Sequence, residues 1–140
     1  MISSIVNIVN ENNVVETELK QLTNVLIEEI PSLLDVRVFG SYNNGNWDEK
    51  KSDIDLLVLL NDEDYYSKKD VKRCLDYNIV ESELRRSLRE RIKEKLTGEY
   101  SDRFSLYLCT PTDIANLSLF ALSRGNLGEN MIEGRLIYKK

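Results

Sequence analysis

The chain has 140 residues, a formal net charge of −5 and no histidine. That length suits one domain, here residues 1–140, which folds without disulfide staples. Two cysteines without CxxC spacing and no histidine exclude a zinc site of the Cys/His kind. The acidic balance makes nucleic acid an unexpected partner, and no apolar run reaches the roughly 18–20 residues that span a bilayer. The opening stretch MISSIVNIVNENN lacks a basic n-region and a cleavage site, so the expected location is the cytoplasm, with Cys74 and Cys109 as buried reduced thiols.

Along the chain, Val15, Leu19, Leu22, Leu26 and Ile30 recur every three or four residues and predict a helix over 13–30, stopped by Pro31. DVRVFG, ending at Gly40, alternates toward a short strand. DIDLLVLL, Asp53 to Leu60, is too short for a typical helix and reads as a buried strand. NDEDYYSKK reads as a polar loop. A long helix is expected from Val71 to Leu96, on Val80, Leu84, Leu88, Ile92 and Leu96, with Gly98 as its C-cap glycine. Its charges, ELRRSLRERIKEK, mix both signs and read as a solvated face. RFSLYLCT predicts a third strand, Pro111 opens a helix, and IEGRLIYKK closes the chain as a small edge strand after Gly134. The fold class expected is therefore α/β (α+β), a small mixed β-sheet flanked by helices.

The unusual feature is a pair of carboxylates heading a greasy run. Residues two apart on a strand share a face, so Asp53 and Asp55 project together, Cα atoms roughly 6–7 Å apart, with Ile54 opposite. Two such carboxylates repel by roughly 2–3 kcal/mol at an effective dielectric of about 20. A divalent cation reverses that sign, and Mg²⁺ favours one or two carboxylates together with phosphate oxygens. Gly40-Ser41 precedes the pair by eleven residues. Glycine lets backbone approach a ligand, and a turn of backbone N–H groups makes an anion nest. Trp47, in the spacer, either stacks on a base or covers the loop.

The order strand, Gly-Ser, spacer, Asp-Ile-Asp, apolar run resembles the nucleotidyltransferase superfamily that includes DNA polymerase beta and kanamycin nucleotidyltransferase. The residues carrying the likeness are Phe39, Gly40, Ser41, Asp53 and Asp55, with FGSYNNG, SDIDLLVLL, CTPTDI and EGRLIY extending it to the small minimal nucleotidyltransferases (MNT). The resemblance implies the nucleotidyltransferase fold. It implies Asp53 and Asp55 as catalytic metal ligands for Mg²⁺ or Mn²⁺, and Gly40 and Ser41 as the site for the phosphates of ATP. It implies transfer of a nucleoside monophosphate to an acceptor hydroxyl. A HEPN-type helical toxin, modified on a tyrosine, is the implied partner, with a homo-oligomer as the other candidate. The family's third carboxylate stands five residues before the Thr-Pro, where this chain has Ser105. Asp102 and Asp113 are not obvious replacements. Ser105 favours the alternative of a catalytically degenerate relative that binds nucleotide or a partner protein without transfer.

Overall fold

The computed structural model describes residues 12–65, 83–115 and 131–140. Helix α1 runs Asn13–Glu29. Asn12 caps it, its side-chain oxygen accepting the backbone N–H groups of Val14 at 2.9 Å and Val15 at 3.2 Å. The helix ends one residue before Ile30, as the following proline requires. Its periodic apolar residues all point into the core, each no more than 2% exposed.

Strand β1 is Asp35–Phe39, the one-turn helix α2 is Ser41–Asn44, and β2 is Ile54–Leu59. A short helical turn, α3, covers Asp62–Tyr65, where a loop was expected; its first turn holds Asp62, Glu63 and Asp64, which suit a helix N-terminus. Helix α4 is Glu83–Glu94, then a 3₁₀ turn at Ser101–Arg103 leads into β3, Phe104–Cys109. Residues 111–115 are helical from Pro111 onward, and β4 is Arg135–Lys139.

The four strands lie in the order β3-β2-β1-β4. β1 pairs antiparallel with both β2 and β4, while β2 and β3 are parallel, so the sheet is mixed. One face carries Val36, Val38, Ile54, Leu56, Val58, Phe104, Leu106 and Leu108 against α1 and against Leu88 and Ile92 of α4. The other face carries Phe39, Leu57 and Cys109, packed with Ile114 and Met131. Full burial of one such aliphatic side chain is worth about 1.5–3 kcal/mol, and that two-sided burial is why DIDLLVLL is nearly continuous in apolar residues.

Part of the predicted long helix lies outside the described residues, and other expectations change. The start of the helix predicted from Val71, and with it Val80 and Cys74, lies outside the described residues; α4 is seen from Glu83. Leu84, expected on its apolar stripe, is 51% exposed, and fully buried Arg85 takes the inward place. A stripe stepping strictly by four drifts off a 3.6-residue turn, and Arg85, Leu88 and Ile92 follow the true period. The face read as solvated is therefore partly internal. Gly98 is not the C-cap. The helix closes through Lys95 N–H to Ile92 and Leu96 N–H to Lys93 carbonyls. Gly98 instead makes room for the buried Glu18: a Cβ there would lie 2.0 Å from Glu18 Oε1, which accepts the Tyr100 N–H at 2.9 Å.

Among the described residues no helix is long and apolar enough to cross a membrane.

Candidate active site

β1 delivers Phe39 opposite Asp55 in antiparallel register, so the chain turns at Gly40 directly beside that carboxylate. Gly40 sits at φ 76° and ψ −154°, where side chains other than glycine are strained. A Cβ on it would lie 2.5 Å from Asp55 Oδ2. Both reasons require glycine. Ser41 starts α2, whose first backbone N–H groups find no partner within so short a helix. The turn closes through Asn44 N–H to the Gly40 carbonyl at 3.0 Å and ends on Gly45 at φ 84°.

The spacer loop is held by its neighbours. Trp47 Nε1 donates to the Ser52 carbonyl at 3.0 Å, and its ring stands edge-on to Tyr42, centroids 5.1 Å apart. Arg103, the last residue of the 3₁₀ turn before β3, donates to the Ser52 carbonyl through Nε at 3.1 Å and to the Glu49 carbonyl through Nη1 at 2.7 Å, with its guanidinium 5.8 Å from the Trp47 ring centre. Trp47 thus covers the loop. The loop delivers Asp53, exposed and one residue ahead of β2, and Asp55, half-buried inside it. Ile54 between them is fully buried on the opposite face. Burial, then the charge of Asp53, raises the Asp55 carboxyl above its ordinary range.

β3 places Ser105 in register with Asp55. Two residues on, Tyr107 shares that face and meets the Phe39 ring edge-on at 5.2 Å. Burial raises its phenol, with the Asp55 charge adding to the shift. Asp102 is exposed in the 3₁₀ turn. Asp113 is fully buried and committed elsewhere: its Oδ2 pairs with Arg85 Nη1 at 2.6 Å and accepts the Thr110 N–H at 2.8 Å. Asp102 thus lies outside β3, and Asp113 is held in a buried pair with Arg85. Among the described residues there is no group of three or more His, Cys, Asp or Glu able to hold a metal.

Sequence reasoning missed Lys93. Its half-buried ammonium donates to the Ser101 carbonyl at 3.0 Å and to that of Phe104, bracing the entry to β3. Burial lowers its pKa, while the charges of Asp102 and Asp53 oppose that shift. Its i+4 position after Arg89, on the edge of the buried stripe, was the available signal.

Comparison with curated proteins and with solved structures found no match in either. A family model described as the nucleotidyltransferase domain matches residues 19–109, from α1 through the last residue of β3 and across the whole Gly-Ser and Asp-Ile-Asp arrangement. That span is more than half of the chain, which therefore belongs to the nucleotidyltransferase domain family, of the DNA polymerase beta-like superfamily.

Proposed function

We propose that the protein transfers AMP from ATP to an acceptor hydroxyl, with Asp53 and Asp55 holding Mg²⁺ (or Mn²⁺) and Gly40-Ser41 holding the β- and γ-phosphates. The observation that carries this reading is the contact between Gly40 and Asp55, which leaves no room for a Cβ between the turn and the carboxylate. The donor set fits a hard divalent cation: two carboxylates two residues apart, one of them resisting ionisation because of burial and then the charge of the other. A cation bound there supplies charge neutralisation for the phosphates. Gly40 allows the backbone to approach, while the Ser41 hydroxyl and the N–H groups of the turn donate to phosphate oxygens. The acceptor hydroxyl gives its proton to solvent as its oxygen attacks the α-phosphorus in line; the new O–P bond forms as the bond from the α-phosphorus to the bridging oxygen breaks, and that oxygen leaves with pyrophosphate. Catalysis in such a site is positioning and electrostatic stabilisation.

The acceptor proposed is a tyrosine hydroxyl on a helical HEPN-type partner in the cytoplasm. Its support is the resemblance to minimal nucleotidyltransferases. A second reading, binding without transfer, is favoured by Ser105 standing in register with Asp55 where a third carboxylate would complete the set. Incubation with α-labelled ATP and Mg²⁺ or Mn²⁺, with and without the protein encoded beside this one, separates them. Label on the partner supports transfer. ATP binding with label on neither protein supports the second reading.

A further inference from the structure

Ser41 is followed by Tyr42, the buried residue of the α2 turn, only 3% exposed. What holds it comes from far along the chain. Its hydroxyl donates to Glu16 Oε2 at 2.7 Å and accepts the Asn12 N–H at 3.2 Å. Glu16 in turn receives both arms of the Arg135 guanidinium, Nη1 to Oε1 at 3.0 Å and Nη2 to Oε2 at 2.8 Å. Glu16 lies in the first turn of α1 and Arg135 opens β4. The start of α1 therefore binds this phenol, one residue from Ser41, directly, and β4 reaches it through Glu16.

We propose that the Tyr42–Glu16–Arg135 network is a positioning element that sets the Gly40-Ser41 turn against Asp55, so that recognition of a triphosphate depends on it. The inference rests on the nucleotidyl-transfer reading. A single helical turn is not stable by itself, and this one is flanked by two glycines at positive φ, which leave its orientation free. An anchor outside the turn must fix it. A bidentate guanidinium–carboxylate pair fixes direction as well as distance, and the phenol passes that constraint to the turn. Burial raises the Tyr42 pKa, so the hydroxyl remains a donor at any ordinary pH.

The test is calorimetric titration of ATP and, separately, AMP in MgCl₂, on wild type, Tyr42→Phe, Glu16→Gln, Arg135→Lys and Gly40→Val. Tyr42→Phe keeps the ring packing and removes only the hydroxyl, so it remains informative if a charge variant fails to fold. The expected result is a loss of ATP affinity of about tenfold in Tyr42→Phe and Glu16→Gln, the worth of one hydrogen bond to a charged group, with AMP affinity unchanged. Arg135→Lys, which keeps the charge and loses the fork, should fall between them and wild type. An ATP-to-AMP affinity ratio equal to that of wild type in both Tyr42→Phe and Glu16→Gln overturns the proposal, as does an equal loss for the two nucleotides, which marks a general loss of fold. If Gly40→Val loses ATP while those variants do not, the phosphate site stands and the positioning role falls. If Gly40→Val also binds ATP normally, both fall together.

Discussion

Asp55 and Ser105 are register partners on parallel strands β2 and β3, facing the same side of the sheet. Adjacent strands lie about 4.8 Å apart, so a side chain at 105 stands beside the carboxylate, and this chain puts a neutral hydroxyl there. Replacing Ser105 with Asp adds the third carboxylate. In the absence of divalent cation the variant should melt lower than wild type, because a third negative charge joins two that already repel. With Mn²⁺ the order should reverse. If the protein transfers nucleotide, Ser105→Asp should be faster, by up to about 10²-fold where base assistance was lacking. Melting curves with and without Mn²⁺, and label transfer, measure both; equal melting in all conditions would argue against a shared cation site.

Asp53→Ala and Asp55→Asn should each abolish Mg²⁺-dependent ATP binding while leaving the fold intact. Asp55→Asn should raise the melting temperature of metal-free protein at neutral pH, because it removes a half-buried charge facing another of the same sign. A lower melting temperature in EDTA would show that Asp55 makes a stabilising contact instead.

Gly40→Ala is the smallest test of the turn. Its positive φ alone costs about 1–3 kcal/mol, and the added carbon meets Asp55 Oδ2. Chemical denaturation should show that loss, and ATP affinity should fall with it. Ser41→Ala leaves the backbone donors and should bind ATP more weakly than wild type but better than Gly40→Ala.

Asp113→Ala should lower stability by about 3 kcal/mol, since breaking a buried ion pair strands charge in a low-dielectric interior, and Arg85 and Asp113 are both fully buried. Asp102→Ala, at an exposed site, should leave stability and nucleotide affinity unchanged. A urea titration of both variants checks this contrast, which separates a buried, ion-paired aspartate from a solvent-facing one.

Glu29 joins α1 to the end of α4, through Arg91 at 3.3 Å and through Lys95, just past the helix, at 3.1 Å. The hydrogen bond from Lys95, with Arg91 assisting, holds its carboxyl below the ordinary 4.5. A depressed folded-state pKa means the unfolded chain binds the proton more readily, so the contribution is present above 4.5 and disappears as pH falls through the folded value. Glu29→Gln should therefore melt slightly below wild type at neutral pH and low salt, and equal to it in strong acid or high salt. A gap that persists at high salt would rule out the electrostatic origin.

What the sequence determined by itself was local. The α1 stripe, the two-sided burial of β2, the Pro31 and Pro111 boundaries and the Gly-Ser to Asp-Ile-Asp spacing are consequences of periodicity and backbone stereochemistry, which act within a few residues. The departure at Ser105 is visible only through the resemblance to the nucleotidyltransferases, whose third carboxylate the resemblance implies at that position. The inward place of Arg85, the real purpose of Gly98, the bracing of the loop by Arg103 and the hold of Glu16 and Arg135 on Tyr42 were not legible. Each depends on a partner brought close only by the order β3-β2-β1-β4, with Glu16 and Arg135 separated by 119 positions in the chain. Charged side chains read alike whether they face water or a buried partner. Only tertiary packing decides which of them is solvated and which is drawn into a buried contact.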